Sequence, residues 1–131
     1  MKNDNIDAIK QAIKKQIALD ELCLVKELDE LILKSNYLIM AQTYKDNVGK
    51  KIIYATESYE DAQAMIRGEK DIEFSEFKAK LTWAKDYFYT IEPISAEKKE
   101  KVKIDLPQID IEIEKLKRQL EQMVKEINDN E

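Results

Sequence analysis

The chain has 131 residues, 37% of them charged and 44% hydrophobic, with two glycines, two prolines and a net charge of −5. Its length suits one modest core, and so few breakers among so many Lys, Glu, Leu and Ile disfavour a sandwich or barrel, which needs frequent turns. With no histidine and one cysteine, it excludes serine–histidine and cysteine–histidine nucleophile systems, histidine metal sites and an intrachain disulfide.

Residues 4–47 run without Gly or Pro. Ile6, Ile9, Ile13 and Ile17 make a narrow apolar stripe with Lys10, Lys14 and Lys15 on other faces, and Asp4 is placed to cap the start. From Leu19 to Met40 the apolar residues spread round much more of the helix, which predicts a central helix covered from several sides. A break near Asp20 or Ser35-Asn36 is preferred to one uninterrupted helix. Asn47-Val48-Gly49 closes the segment, with Gly49 suited to a left-handed cap.

The β-branched and aromatic stretch KKIIYATES (residues 50–58) is the best strand candidate. Ser58 then caps a short helix whose inner face is Tyr59, Ala62, Met65 and Ile66 and which Gly68 closes. Phe74, Phe77, Leu81, Ala84, Phe88 and Ile91 follow at steps of three, four, three, four and three, predicting a helix from Asp71 to the stop at Pro93. Trp83 and Tyr87 would widen its buried face.

Residues 93–106 read as a charged connector. Ser95 to Lys98 could start one helical turn, but Val102, Ile104 and Leu106 alternate with Lys103 and Asp105 like half a strand. That half could pair as a ribbon, 50–55 with 101–106, which would need a helix beneath it. Residues 107–128 predict a C-terminal, coiled-coil-like helix. Ile109, Ile111 and Ile113 alternate locally, yet Ile109, Ile113, Leu116, Leu120, Met123 and Ile127 step by four, three, four, three and four. The helical period explains far more of the stretch, and Pro107 is tolerated in a first turn. Ile111 falls off this seam, so its exposure would mark a second apolar contact.

The chemistry-bearing candidates are weak. Two carboxylate groups, Asp105/Asp110/Glu112/Glu114 and Glu57/Glu60/Asp61, are better explained by solvated helix faces, capping and the helix dipole than by a hard-cation site. There is no phosphate-binding glycine loop, and no cofactor or metal is expected. Lys98, Lys99, Lys101 and Lys103 form the densest basic run, but Glu97 and Glu100 interrupt it and no aromatic is interleaved to stack on bases. Of the 22 basic residues only Arg67 and Arg118 are arginines, which further disfavours nucleic-acid binding. Cys23 sits in an apolar helical context that predicts buried packing. No membrane span or signal-peptide core is seen, so the expected compartment is the cytoplasm.

The fold expected is thus mainly all-α, a single-domain helical bundle with long N- and C-terminal helices and room for the small ribbon. The function expected is a non-enzymatic protein–protein interaction protein acting through apolar seams. Its partner would be a second copy, as a dimer, or another protein. The contact residues would be Ile109, Ile111, Ile113, Leu116, Leu120, Met123, Ile127, Trp83 and Tyr87, with Ile6–Ile17 a second stripe of the same kind. Two alternatives stand beside it. One is a small acidic inhibitor of a nucleic-acid-handling enzyme, from a phage or other mobile element; the other is a nucleic-acid module using Lys98–Lys103.

Overall fold

The computed structural model describes residues 2–43, 49–82 and 87–129. In chain order the elements are α1 (Lys2–Leu33), β1 (Tyr37–Thr43), β2 (Lys51–Thr56), α2 (Tyr59–Ile66), β3 (Ile72–Glu73), β4 (Lys78–Ala79), β5 (Tyr87–Pro93) and α3 (Ala96–Asp129). The described chain is mainly helical, with three helices, a small antiparallel sheet and a two-stranded ribbon. It divides into two compact units. One is built from the chain up to Lys26 and from Asp105 onward, the other from Glu27–Ile104.

The first unit is a pair of antiparallel helical arms, the N-terminal part of α1 and the C-terminal part of α3. Lys26 of α1 pairs with Asp110 of α3 at 2.7 Å, whereas Leu19, two turns earlier, lines a groove with Leu120 and Val124. Helix α1 begins at Lys2, ahead of the predicted cap at Asp4, and passes Asp20 without a break. Helix α3 begins at Ala96, well before the predicted start at Pro107, so the stretch read as a connector is helical. Ser95 starts it: its hydroxyl accepts the Lys98 N–H at 3.1 Å and its carbonyl the Lys99 N–H at 3.2 Å. The alternation of Val102, Ile104 and Leu106 is incidental. Val102 and Leu106 extend the seam of Ile109 and Ile113 upstream at steps of four and three. Val102 is 2% exposed, and Ile104, off the seam, is 72% exposed. Pro107 lies inside the helix rather than at its start.

The second unit is organised by a sheet of order β2-β1-β5, antiparallel throughout. Residues 37–43, expected in the central helix, form its middle strand; only the break at Ser35-Asn36 was read correctly there. Leu38, Ile39 and Met40 are all buried. A strand covered on both faces is a continuous apolar run, and periodicity cannot tell that from a buried helix. Strand β2 falls where the sequence placed it but pairs with β1, not with 101–106, and a register shift lies opposite Ile39/Met40.

Helix α2 falls where it was expected, but Tyr59, placed on its inner face by the spacing, is 47% exposed. Ser58 caps it through the Asp61 N–H, Ala62 and Met65 are buried, and Gly68 takes a left-handed φ of 74° at its end. Gly49 is also left-handed, just ahead of β2, while Asn47 and Val48 of the expected cap lie outside the described residues. Among the described residues of 71–92 the predicted helix is absent, and Ala84 of its stripe lies outside them. Its N-terminal part is the β3–β4 ribbon, whose turn brings the Phe74 and Phe77 rings to 5.2 Å, and its C-terminal part is the edge strand β5. Phe74, Leu81 and Ile91 do share one core with Ile39, Tyr54, Ala62, Met65 and Ile72. They reach it from a ribbon, a loop and a strand rather than from one helical face. Tyr54 ties the ribbon down, since its hydroxyl donates to the Glu73 carbonyl at 3.1 Å and accepts the Glu73 N–H at 3.2 Å.

Candidate interaction surface

Each helix in the first unit has two apolar faces, and they are used differently. On α3 the predicted seam is turned inward: Ile113 is buried, while Ile109, Leu116, Leu120, Met123 and Ile127 are half-buried. On α1 the less exposed positions up to Lys26 are Asn5, Ala8, Ala12, Lys15, Ala18, Leu19, Leu22 and Lys26, all on one side of the helix. Leu19 and Lys26 of that row are the residues that meet α3, so the row is the face α1 presents to its neighbour.

The isoleucine stripe of α1 lies elsewhere. At 100° per residue its centre is turned well over 90° from that row. Ile6 is 50% exposed, Ile9 39%, Ile13 54%, Ile17 53% and Leu24 37%. Ile6, Ile9, Ile13 and Ile17 follow one another without a charge between them, Leu24 stands beyond Asp20, and together they expose roughly a few hundred Å², the scale of a monomer's largest apolar patch, which is often functional. Ile111, singled out from the sequence, is 61% exposed as its off-seam position required. It is isolated, because its neighbours one turn away are Pro107, Gln108, Glu114 and Lys115. The longer exposed apolar row is therefore on α1, unbroken from Ile6 to Ile17, and that of α3 is largely spent inside the unit.

The other predicted residues do not join this surface. Trp83 lies outside the described residues. Tyr87 belongs to the second unit, where it sits half-buried on β5 and its hydroxyl donates to the Thr82 carbonyl at 3.2 Å. Tyr89 beside it donates to the same carbonyl at 2.7 Å, and the two rings meet edge-to-face at 5.4 Å. Burial, then the hydrogen bond and charge of Tyr87, push the Tyr89 phenol up to about 12. Lys98 and Lys101 lie on one side of the first turns of α3, and Lys99 and Lys103 on another, so the basic run does not make a single stripe.

Several carboxylates sit in ion pairs. Asp110 pairs with Lys26, Glu114 with Lys117, Asp61 with Lys70 and Glu92 with Lys50. Among the described residues no group of three or more Cys, Asp or Glu is placed to hold a metal ion, and no helix is long and apolar enough to cross a membrane. A groove of the second unit, about 660 Å³, has Tyr54, Thr56, Glu57, Glu73 and the Asp61–Lys70 pair in its walls. Cys23, expected to be packed inside, is exposed on α1. Comparison with protein-family models, with curated proteins and with solved structures gives no match for this chain, so what it does is argued from its own surfaces.

Proposed function

We propose that this protein is a non-enzymatic interaction protein whose binding element is the isoleucine face of α1. The observation that carries this reading is the row Ile6, Ile9, Ile13, Ile17 and Leu24, each more than a third exposed along one helical face. Leaving that surface in water costs roughly 25 cal/mol for each apolar Å², and a partner's apolar surface removes the cost. The helix that bears it is braced from behind by α3, so the face is presented in a set shape before a partner arrives, which lowers the ordering cost of binding.

The test is capture of partners from the native host with the intact chain and with Ile13→Asp/Ile17→Asp, followed by mass spectrometry. The exposed face contributes nothing to the packing against α3, so the variant keeps its far-ultraviolet circular dichroism. It is expected to lose whatever protein the intact chain retains, whether a second copy or another species. Identical captured sets would overturn the reading.

A further inference from the structure

Resting on that reading, we infer that the occupant of the α1 face is a second copy of the chain, docked antiparallel. Ile6 and Ile17 are eleven residues apart, as are Ile13 and Leu24. Eleven residues are close to three full α-helical turns, so this row runs nearly straight along the helix, for about 27 Å. A straight row matches another straight row without coiling.

The charges beside it select the direction. Lys10 and Glu21 are exposed, also eleven apart, and on the same flank of the row. A two-fold axis level with Lys15 and Gln16, perpendicular to both helices, carries that flank onto itself and reverses the chain. Lys10 of each copy then lies level with Glu21 of the other, giving two identical ion pairs. Ile13 meets Ile17 at the centre, Ile6 meets Leu24 at each end, and Asp20, which accepts a hydrogen bond from the Gln16 amide at 2.9 Å, lies level with Lys10 and Gln11 of the other copy. Such an isologous contact closes on itself and stops at two copies. Parallel docking brings opposite flanks together, sets Asp20 of one copy beside Glu21 of the other, and leaves Lys10 without an acid.

Sedimentation equilibrium on the full chain tests this through charge reversal. Wild type is expected to dimerise at tens of micromolar. Lys10→Glu and Glu21→Lys each weaken the dimer about tenfold, because two pairs become two repulsions, and the double variant recovers to within about threefold. A Cys23→Ser background carrying Lys10→Cys, mixed with one carrying Glu21→Cys, is expected to be joined by a short bis-maleimide, while Lys10→Cys alone is not. A dimer indifferent to both reversals, or efficient joining of Lys10→Cys to itself, overturns the antiparallel docking and leaves the α1 face as an interaction site. A strict monomer at these concentrations removes the second copy as the occupant, and the partner capture then reports separately on the broader reading.

Discussion

Tyr89 shows how one side chain records its surroundings. Its hydroxyl is held on the Thr82 carbonyl beside Tyr87, and burial with that neighbour raises its pKa from 10.0 to about 12. The neutral phenol is the form that fits. Below pH 10 both folded and unfolded chains carry it neutral; between about pH 10 and 12 only the unfolded chain ionises. Stability is therefore expected to fall as pH rises through that window, and Tyr89→Phe should flatten the fall. Urea midpoints across the alkaline range check this, and one of the six tyrosines should titrate late in tyrosinate absorbance. Ile39 is the opposite case, a fully buried side chain on the middle strand. Ile39→Ala should cost about 3 kcal/mol, read as a lower urea midpoint at unchanged slope. Local chemistry of this sort was partly legible. Ser58 and Gly68 named the ends of α2 because a cap and a left-handed turn depend on neighbours in sequence. The Tyr54–Glu73 pair was not, since it closes a loop of nineteen residues.

At the scale of elements, Pro107 is a specific liability. It lies well inside α3, where it removes one backbone N–H and crowds the preceding turn. Pro107→Ala is expected to stabilise the chain by up to about 3 kcal/mol, measured as a rise in the urea midpoint with helicity retained. Losing the Ser58 hydroxyl in Ser58→Ala should instead cost about 1 kcal/mol, because the Asp61 N–H then loses its partner. The long helices were legible from their spacing, as no turn residues interrupt α1 and the seam of α3 persists to Ile127. The strands β1 and β5 were not. Tyr37–Thr43 is rich in residues that also suit helices, and only pairing on both sides makes it a strand. In 71–92 the helical spacing of Phe74, Phe77, Leu81 and Ile91 was genuine as a count, but a ribbon and an edge strand bring the same residues to one core. The aromatic and β-branched run YFYTI of β5 carries a strand signal, but the longer apparent helical period outweighs it.

For the molecule as a whole, self-association through α1 predicts a thermal midpoint that rises with protein concentration, since dimerisation stabilises the folded chain by mass action. Ile13→Asp should abolish that dependence while keeping the helical spectrum; a midpoint indifferent to concentration in the wild type would count against a dimer. The sequence by itself determined that both long helices carry apolar rows, that Ile111 stands apart from the seam of α3, and that α2 lies between Ser58 and Gly68. Those follow from periodicity and capping, which are local. It could not determine which apolar rows are spent internally. Only the tertiary structure turned the seam of α3 and the alanine face of α1 inward, leaving the isoleucines of α1 exposed. The physical reason is that hydrophobicity is a property of a side chain, whereas burial depends on which surface arrives opposite it. The row of α1 that carries Leu19 and Lys26 met α3, and the isoleucines on its other side were left for another contact.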